Sequence, residues 1–342
     1  MYEDLSKSGA RMPMLEHSGE RRASRPISLV IHGGWSPAPP PDMTPEMEAD
    51  YRKALTESLL AGHRILAAAG SSLDAVMAAI RVMEDCPLFN AGRGAVFTSD
   101  GRNELDASIM DGKTRRAGAV AATTTIRNPI LAARAVMEKS RHVLLVGQGA
   151  EQFAREQGLE PVDPTYFFTQ RRWDQLQRAI QREADEQNPA GSAKRYDSPG
   201  APPDLRSGTV GAVALDAAGN LAAGTSTGGT TNKRWGRIGD SSIIGAGTYA
   251  DNQSIAASGT GMGEMFIRAA ALHDIAALVQ YRGMSLQAAS DEVILRKIPA
   301  LGGGGGAIVL DRKGNHAFSF TDHLMYRGVI TPDGTPAVAI YR

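Results

Sequence analysis

Two segments of the sequence repeat one pattern 95 residues apart, and this repeat constrains the fold more than any other feature. Residues 211–222 read GAVALDAAGNLA, and residues 306–317 read GAIVLDRKGNHA. Each is an apolar run, a D-x-x-G-N sequence and a second run, which is typical of a β-hairpin with glycine at a positive φ. A helical pattern over about residues 264–297 lies between them. This order of strands, helices and strands favours a sheet core covered by helices over a parallel βαβ array.

The first half of the chain shows the same alternation of strands and helices. Short apolar runs predict strands over residues 27–31, 95–98, 105–110, 117–122 and 143–146. Helical spacing and capping residues predict helices over residues 45–70, from Ser71 or Ser72 to Met83, from 129 through 136, and around 173–180. Both halves of the chain are therefore expected to contribute to the core.

The charge balance and the cysteine count exclude several classes of protein. Lysine plus arginine equals aspartate plus glutamate, at 37 each, so the basic footprint of nucleic-acid binding is missing. The single cysteine, Cys86, excludes an internal disulfide. The seven histidines have no zinc-site spacing, and we interpret them as surface or core residues with satisfied hydrogen bonds. Residues 1–27 lack an apolar stretch, so we predict a disordered tail and a cytoplasmic protein without a membrane partner.

A linker-like segment, residues 188–208, ends abruptly where a buried-type strand begins with Thr209. Its prolines, glycines and polar residues cannot bury enough surface to order themselves. Cleavage of the Gly208–Thr209 bond would give Thr209 a free α-amine, whose ordinary pKa of about 7.7–8.0 suits a base at neutral pH. Nucleophile and base would then share one residue. The competing interpretation is an ordinary β-branched residue at a strand start.

Two segments after Thr209 offer groups that such a nucleophile needs. In TSTGG, the Thr227 hydroxyl could bond the nucleophile, or it could simply end a polar strand. In GRIGD, Arg237 and Asp240 could bind the carboxylate and the ammonium group of an amino acid. The alternative is a surface ion pair between Arg237 and Asp240 that contributes little.

Glycine turns add a third element. In SGTGMGE, residues 258–264, backbone N–H groups before a helix could stabilise an oxyanion or bind a phosphate. The segment matches neither the P-loop nor the full dinucleotide-binding pattern. The glycine run at residues 302–306 precedes an apolar strand, so we interpret it as close backbone packing.

Together these segments resemble the plant-type asparaginase / isoaspartyl peptidase family of N-terminal-nucleophile hydrolases. The matching segments are IHGG (31–34), CPLFNAGRGAVF (86–97), ELDASIMDG (104–112), GAVA to RNPILAAR (118–134), GTVGAVALD (208–216), TSTGG (225–229), GRIGD (236–240), GTGMGE (259–264) and LGGGGGAIVLD (301–311). The resemblance runs from about residue 28 to the C-terminus. It implies an α+β fold, the four-layer αββα sandwich, in one domain formed by an α part (28–187), a linker (188–208) and a β part (209–342).

The resemblance also implies a role for each matching residue. The proenzyme would cleave itself between Gly208 and Thr209. Thr209 would then attack asparagine or a β-aspartyl dipeptide, and water would release L-aspartate from a β-aspartyl ester. Thr227 would support the Thr209 hydroxyl, and Thr260 with the Gly261 N–H would form the oxyanion hole. The residues expected to bind substrate are Asn90, Arg237, Ile238, Gly239, Asp240, Thr260, Gly261, Met262 and Gly263.

No cofactor for catalysis is implied, but a structural sodium ion is. Its site in the family is a loop of backbone carbonyls, here those of Met83, Glu84, Cys86, Phe89, Ala91 and Arg93. The implied assembly is a dimer of αβ units.

One departure from the family pattern lies at Met262, where a second threonine is usual. A larger apolar side chain changes the pocket edge, so the preference between asparagine and isoaspartyl dipeptides stays open. Two alternatives also stay open. One is a glycosylasparaginase of the same fold, against which the missing signal peptide counts. The other is a non-catalytic glycine-rich module that binds anions, which predicts an uncut chain.

Overall fold

The structure is a computed structural model, and it describes residues 26–40, 43–187 and 208–342. The predicted tail and the predicted linker therefore lie outside the described residues, apart from residues 26, 27 and 208. The strands are β1 (Ser28–Ser36), β2 (Leu105–Asp111), β3 (Ala117–Thr123), β4 (Leu144–Val146), β5 (Val210–Leu215), β6 (Leu221–Thr227), β7 (Thr248–Ala250), β8 (Ala256–Gly261), β9 (Gly305–Leu310), β10 (His316–Phe320), β11 (Leu324–Ile330) and β12 (Pro336–Tyr341).

The α-helices of the described part lie in two blocks of the chain, before residue 188 and between residues 263 and 300. They are α1 (Pro45–Ala67), α2 (Ser72–Asp85), α3 (Pro129–Lys139), α4 (Gly147–Glu156), α5 (Gln170–Gln187), α6 (Gly263–Ala269), α7 (Ala271–Arg282), α8 (Leu286–Asp291) and, after a π-helical turn at Glu292–Lys297, α9 (Ile298–Ala300). Within the described ranges, none of the helices is both long and apolar enough to cross a membrane.

The strands of the described part form two sheets. The larger has eight strands in the order β12-β11-β1-β5-β6-β2-β3-β4, and the smaller has four in the order β10-β9-β8-β7. Pairing is antiparallel except between β3 and β4. Both predicted hairpins form, as β5–β6 and β9–β10. The prediction of a sheet core rather than a parallel array is therefore confirmed.

Alternating side chains on each central strand bury the two faces of each sheet separately. In β5, Ala212 packs with the cluster that holds Leu55 of α1 and Ile80 of α2, whereas Val213 packs toward the smaller sheet. In β9, Ile308 joins that same inter-sheet cluster, and the residues beside it pack on α6, α7 and α8. Period-two alternation thus places helices on both outer faces of a packed pair of sheets.

The centre of the larger sheet joins the two parts of the chain that the linker separates. Strand β1, from the N-terminal part, pairs with β5, which begins directly after Thr209. The register of β1 shifts between His32 and Gly34, and Gly34 has a φ of +115°. A Cβ atom on Gly34 would collide with the backbone of Gly208. The IHGG segment therefore makes room for the residue that precedes Thr209.

The predicted strand over residues 95–98 is wrong. The structure shows only isolated bridges there, from Phe97 to Asn103 and from Thr98 to Lys233. Side-chain amides take up the backbone groups that a strand would pair. Asn90 Oδ1 accepts a hydrogen bond from the N–H of Val96 at 2.9 Å, and Asn103 Nδ2 donates to the carbonyl of Ala95, also at 2.9 Å. Such local side-chain bonds compete with a β-ladder.

Candidate active site

Thr209 and Thr227 face each other at the end of the β5–β6 hairpin. The last ladder pair is Val210 with Ser226, so Thr209 and Thr227 are the next opposing positions. Both are nearly inaccessible to solvent, with 5% and 2% of their surface exposed. The Oγ1 hydroxyl of Thr209 donates to Oγ1 of Thr227 at 3.1 Å, and Thr227 Oγ1 also accepts from the N–H of Gly229 at 3.0 Å. The structure thus brings together the predicted nucleophile and its predicted support.

Thr260 lies on β8 of the smaller sheet and contacts β1 of the larger sheet. Its Oγ1 accepts a hydrogen bond from the backbone N–H of Trp35 at 3.2 Å, which leaves the hydroxyl proton for another acceptor. Within the described residues Thr260 makes no hydrogen bond to Thr209. Gly261 follows with a φ of +143°, and a Cβ atom on it would collide with Gly305. Only glycine therefore fits at the predicted oxyanion position.

Asn90 shapes the loop that follows Thr227. Its Nδ2 donates to the carbonyl of Gly229 at 2.8 Å, and its backbone carbonyl accepts from the N–H of Gly228 at 3.0 Å. Since its Oδ1 accepts from Val96, both amide atoms of Asn90 are engaged by protein groups. The structure therefore places Asn90 against the loop that follows Thr227, as a brace of that loop.

Arg237 is held by Glu264 and not by Asp240. Arg237 Nε lies 2.8 Å from Glu264 Oε1, and Nη2 lies 3.0 Å from Oε2, a bidentate pair. Burial alone would lower the pKa of Arg237, but the bonds and charge of Glu264 raise it above its usual value. Burial would likewise raise the pKa of Glu264, and Arg237 outweighs it and lowers that pKa. The alternative expectation of an Arg237–Asp240 surface pair is wrong.

Asp240 is a buried carboxyl group with one oxygen that accepts no hydrogen bond. It is 4% exposed, and its Oδ2 has no hydrogen-bond partner. Burial raises the pKa of Asp240 to about 7, and the charge of Arg237 offsets part of that rise. A Cβ atom on Gly263 would lie 2.7 Å from Oδ1, and one on Gly247 would lie 2.9 Å from Oδ2. Glycines thus keep the surroundings of this carboxylate open to a cationic group.

Ile238, Gly239 and Met262 complete the predicted binding segments. Ile238 is half-buried, and a Cβ atom on Gly239 would lie 2.8 Å from Arg237 Nη1. Met262 precedes α6 as its N-cap residue, and its N–H donates to the carbonyl of Gly304 at 3.0 Å. The backbone of Met262 therefore ties the second glycine run to the start of α6.

Two buried charges beside Arg237 were not predicted. Asp106 on β2 lies opposite Thr227 in the β2–β6 ladder, and Lys233 donates from Nζ to the carbonyl of Glu104 at 3.0 Å. Burial raises the pKa of Asp106 and lowers that of Lys233, and each charge partly offsets the shift of the other. Both residues sit in or near matching segments, but residue order gives no sign that they are buried.

The predicted sodium loop begins in the last turn of α2, which holds Met83 and Glu84, and continues to Arg93. Within the described residues no group of three or more acidic, histidine or cysteine side chains could hold a metal ion. A Cβ atom on Gly92 would collide with the carbonyl of Glu84, and one on Gly94 would collide with that of Phe89. The loop therefore packs its carbonyls around positions that only glycine can fill. The side chain of Glu84 points toward β6, where its Oε1 accepts a hydrogen bond from Ser226 Oγ at 2.7 Å.

Comparison with known proteins gives consistent matches over most of the chain. The protein-family model described as Asparaginase matches residues 25–340. An isoaspartyl peptidase of Salmonella typhimurium (strain LT2) is 51% identical over 316 residues, which are 92% of this chain and 98% of that protein. A plant-type L-asparaginase of Pyrococcus abyssi is 41% identical over 306 residues, 88% of this chain and 95% of that protein. An isoaspartyl peptidase/L-asparaginase of Rattus norvegicus is 41% identical over 306 residues, 89% of this chain and 86% of that protein.

Proposed function

Because the chain belongs to the asparaginase family, we propose that it is an autoprocessing threonine amidohydrolase. Its substrates are β-aspartyl (isoaspartyl) dipeptides and the side-chain amide of L-asparagine, and L-aspartate is released. The observation that carries this proposal is the buried hydroxyl pair of Thr209 and Thr227, directly after the Gly208 peptide bond. The two packed sheets with helices on their outer faces fit the αββα sandwich of N-terminal-nucleophile hydrolases.

The proposed first reaction is self-cleavage. The Thr209 hydroxyl attacks the carbonyl carbon of Gly208, so that an ester bond forms, the C–N bond breaks and the hydroxyl proton passes to the nitrogen. Water then hydrolyses the ester and leaves an α subunit, residues 1–208, and a β subunit, residues 209–342. The α-amine of Thr209 is now free to accept a proton from its own hydroxyl. The close approach of Gly34 to Gly208 supports this step, because a side chain at either position would displace the scissile bond.

The second reaction uses the matured Thr209 on the substrate. Its Oγ1 attacks the side-chain carbonyl carbon of the aspartyl group, the amine or ammonia leaves with the transferred proton, and a β-aspartyl ester remains. Water hydrolyses this ester. Thr227 orients the attacking hydroxyl, and we assign the oxyanion to the Thr260 hydroxyl and the N–H of Gly261.

Recognition of the substrate's α-carboxylate and α-amine is assigned to Arg237 and Asp240. A guanidinium has five N–H donors, and Glu264 takes two of them. The remaining Nη1 group points toward Gly229 and Gly239, since Cβ atoms on these glycines would lie 3.4 and 2.8 Å from it. The unpartnered Oδ2 of Asp240 can accept from an ammonium group. We assign half-buried Met262 to the pocket edge, and Asn90 braces the loop after Thr227.

A structural sodium ion and a dimer of αβ units belong to the same proposal. Hard cations prefer oxygen ligands, and the carbonyls of the loop from Met83 to Arg93 would provide them, since Gly92 and Gly94 let the carbonyls of Glu84 and Phe89 approach closely. The residues assigned to the ion are Met83, Glu84, Cys86, Phe89, Ala91 and Arg93. The ion would fix the loop that carries Asn90.

Intact mass spectrometry of freshly purified protein tests the proposal, with Thr209→Ala and Thr209→Ser beside the wild type. We expect two fragments that part between Gly208 and Thr209 in the wild type and the serine variant, and one chain in the alanine variant. Released aspartate is then measured from asparagine, a β-aspartyl dipeptide and a glycosylated asparagine. Preference for the last substrate would favour a glycosylasparaginase. An uncut, inactive wild type would overturn the proposal in favour of an anion-binding module.

A further inference from the structure

His32 is a buried histidine that contacts the backbone of Thr209. Its Nδ1 lies 2.8 Å from the carbonyl oxygen of Thr209, and its Nε2 lies 2.8 Å from Oγ of Ser258. A carbonyl oxygen can only accept, so Nδ1 carries the ring proton and Nε2 accepts from the Ser258 hydroxyl. Burial lowers the pKa of His32 to about 3, although the bond to Thr209 raises it slightly. The ring is therefore neutral at ordinary pH.

A chain of buried hydroxyls continues from Ser258. Ser258 Oγ lies 2.7 Å from Thr225 Oγ1, which accepts from Thr248 Oγ1 at 2.5 Å, and Thr248 Oγ1 lies 2.8 Å from Ser108 Oγ. All four are fully buried. Each hydroxyl has one proton, and the Ser258 proton goes to His32. Where these hydroxyls bond one another, donation therefore runs toward His32, from Ser108 through Thr248 and Thr225.

The far end of this chain touches the turn that carries Asp240. Ser108 Oγ lies 2.6 Å from the carbonyl of Ser241, and Thr225 Oγ1 lies 2.8 Å from the carbonyl of Gly247. Ser241 follows Asp240 in a short 3-10 turn. Two carbonyls therefore compete for the protons of the chain, and the chain links the nucleophile strand to the substrate-binding turn.

The backbone of Thr209 needs such a partner, because it lies beyond the ladders on both sides. Pairing of β5 ends with His32–Gly211 toward β1 and with Val210–Ser226 toward β6. After cleavage Thr209 is a chain terminus, and termini fray unless they are tied down. Gly211 makes room for the tie, since a Cβ atom there would collide with both His32 Nε2 and Ser258 Oγ.

We propose that His32 is a positioning residue, which fixes the Thr209 backbone through its Nδ1–H group while the buried hydroxyl chain fixes its tautomer. The proposal rests on the proposed function in that Thr209 is the nucleophile. His32 transfers no proton to the substrate. It holds the carbonyl so that the Thr209 hydroxyl stays on Thr227 and its amine stays toward the substrate.

The first test compares His32→Asn with His32→Gln in self-cleavage, kcat and KM. The amide nitrogen of asparagine sits where Nδ1 does and can donate to the Thr209 carbonyl, whereas the amide of glutamine sits at the Nε2 position. A misplacement of about 1 Å costs about 10²-fold in rate. We expect His32→Gln to lose about that factor in kcat at nearly constant KM, and His32→Asn to recover most of it. Equal losses in both variants would overturn the positioning role.

The pH profile separates positioning from acid–base catalysis. Because the ring stays neutral, kcat of His32→Asn should fall and rise at the same pH values as that of the wild type. A variant profile that lacks one of the wild-type ionisations would make His32 an acid or base and would overturn the proposal.

A matched serine pair controls for buried hydroxyls in general. Ser258→Ala removes the donor to Nε2, and Ser58→Ala removes an equally buried hydroxyl that bonds the Ala79 carbonyl at 2.9 Å between α1 and α2. We expect only Ser258→Ala to lower kcat. Equal kcat in the two variants would contradict a role for the hydrogen-bonded hydroxyls in fixing the His32 ring.

A spectroscopic test needs neither activity nor a variant that folds fully. In wild-type protein with ¹⁵N-labelled histidine, His32 should give the neutral tautomer with a protonated Nδ1 and a bare Nε2. A proton on Nε2 would overturn the proposal even in an active enzyme. If the wild type is never cleaved, the proposed function fails while this result still decides the tautomer.

Discussion

Two corners of the candidate site are built in opposite ways. The neutral corner consists of uncharged groups, namely His32, Asn90, Thr209, Thr227, Ser258 and Thr260. The charged corner consists of ionisable groups, namely Asp106, Lys233, Arg237, Asp240 and Glu264. Strands carry most of the neutral corner, and the ladder between β5 and β6 sets its spacing. Arg237 and Asp240 of the charged corner instead lie on the loop after β6.

The difference sets a corner of fixed hydrogen bonds beside a corner whose contacts depend on ionisation. Hydroxyls and a neutral ring keep their hydrogen bonds over a wide pH range, so the side-chain bonds around Thr209 do not depend on an ionisable side chain. The charged corner depends on ionisation, since burial raises the pKa of Asp240 to about 7. The corners meet at Gly229, whose N–H binds Thr227 and where a Cβ atom would lie 3.1 Å from Lys233 Nζ.

The largest effect is expected at the charged corner, for Arg237→Met. This change leaves Glu264 without its partner and removes the donors assigned to the substrate carboxylate. Because Glu264 is 55% exposed, the loss of its partner costs little. The substrate carboxylate loses the two N–H donors of Nη1, and a hydrogen bond to a charged group is worth about 1.5–3 kcal/mol, so kcat/KM should fall by about 10³-fold. Steady-state kinetics on a β-aspartyl dipeptide measure it. Arg237→Lys keeps the charge without the fork, and full activity in that variant would contradict bidentate binding.

At the neutral corner, Thr227→Val should lower kcat by about 10²-fold and leave KM nearly unchanged, because Thr209, the proposed nucleophile, loses the partner of its hydroxyl. Valine has nearly the shape of threonine, so the fold is expected to remain intact. Thr227→Ser should restore most of the rate. A change confined to KM would show that Thr227 binds substrate and does not orient the Thr209 hydroxyl.

The pH dependence of ligand binding contrasts the two corners. The pKa of Asp240 is about 7, so below that pH the carboxylate takes up a proton and loses its attraction for an ammonium group. Affinity of the processed enzyme for L-aspartate should therefore fall about tenfold per unit below pH 7, as measured by calorimetry between pH 5.5 and 8. Asp240→Asn should bind weakly without this slope. A wild-type curve that is flat across the range would contradict a titrating Asp240.

The same shift fixes the sign of a stability effect. The folded pKa of Asp240 lies above the unfolded value of about 3.9. Its contribution to the free energy of unfolding is therefore full below that value and is lost as the pH rises through about 7. Urea unfolding over pH 4–8 measures this effect. The free energy of unfolding of the wild type should fall relative to that of Asp240→Asn as the pH rises through that window.

The smallest effect is expected outside both corners, at the exposed pair of Arg234 and Glu183. Their charged atoms lie 2.7 Å apart, with 40% and 33% of the side chains exposed. Exposed pairs contribute about 0–1 kcal/mol, so Glu183→Gln should lower the free energy of unfolding by no more than that and leave kcat unchanged. Thermal unfolding and kinetics measure both. A large loss of activity would show that Glu183 of α5 belongs to the charged corner.

Local patterns in the sequence predicted the parts that local geometry controls. The two D-x-x-G-N segments gave hairpins, and a hairpin register alone brings Thr209 opposite Thr227. The strand prediction over residues 95–98 failed because Asn90, some residues earlier, takes the backbone N–H that a ladder would use. Apolar composition cannot reveal such a bond.

Partners of charged residues were the least predictable. Arg237 and Asp240 are three residues apart, which suggested a pair, but the partner of Arg237 is Glu264, 27 residues later. His32 was predicted to be a histidine with satisfied hydrogen bonds, and it is, but its partners lie 177 and 226 residues away. Spacing along the chain does not encode distances across a sheet.

The sequence by itself determined which groups are available, namely a threonine placed after a glycine, glycine turns, and a cation and an anion three residues apart. It determined the hairpins as well, because turn residues act within a few bonds. Tertiary structure alone decided which of these groups are buried, which ones pair, and that a neutral histidine holds the Thr209 carbonyl. Burial and pairing depend on what two sheets and their helices bring together, and such contacts join residues hundreds of positions apart.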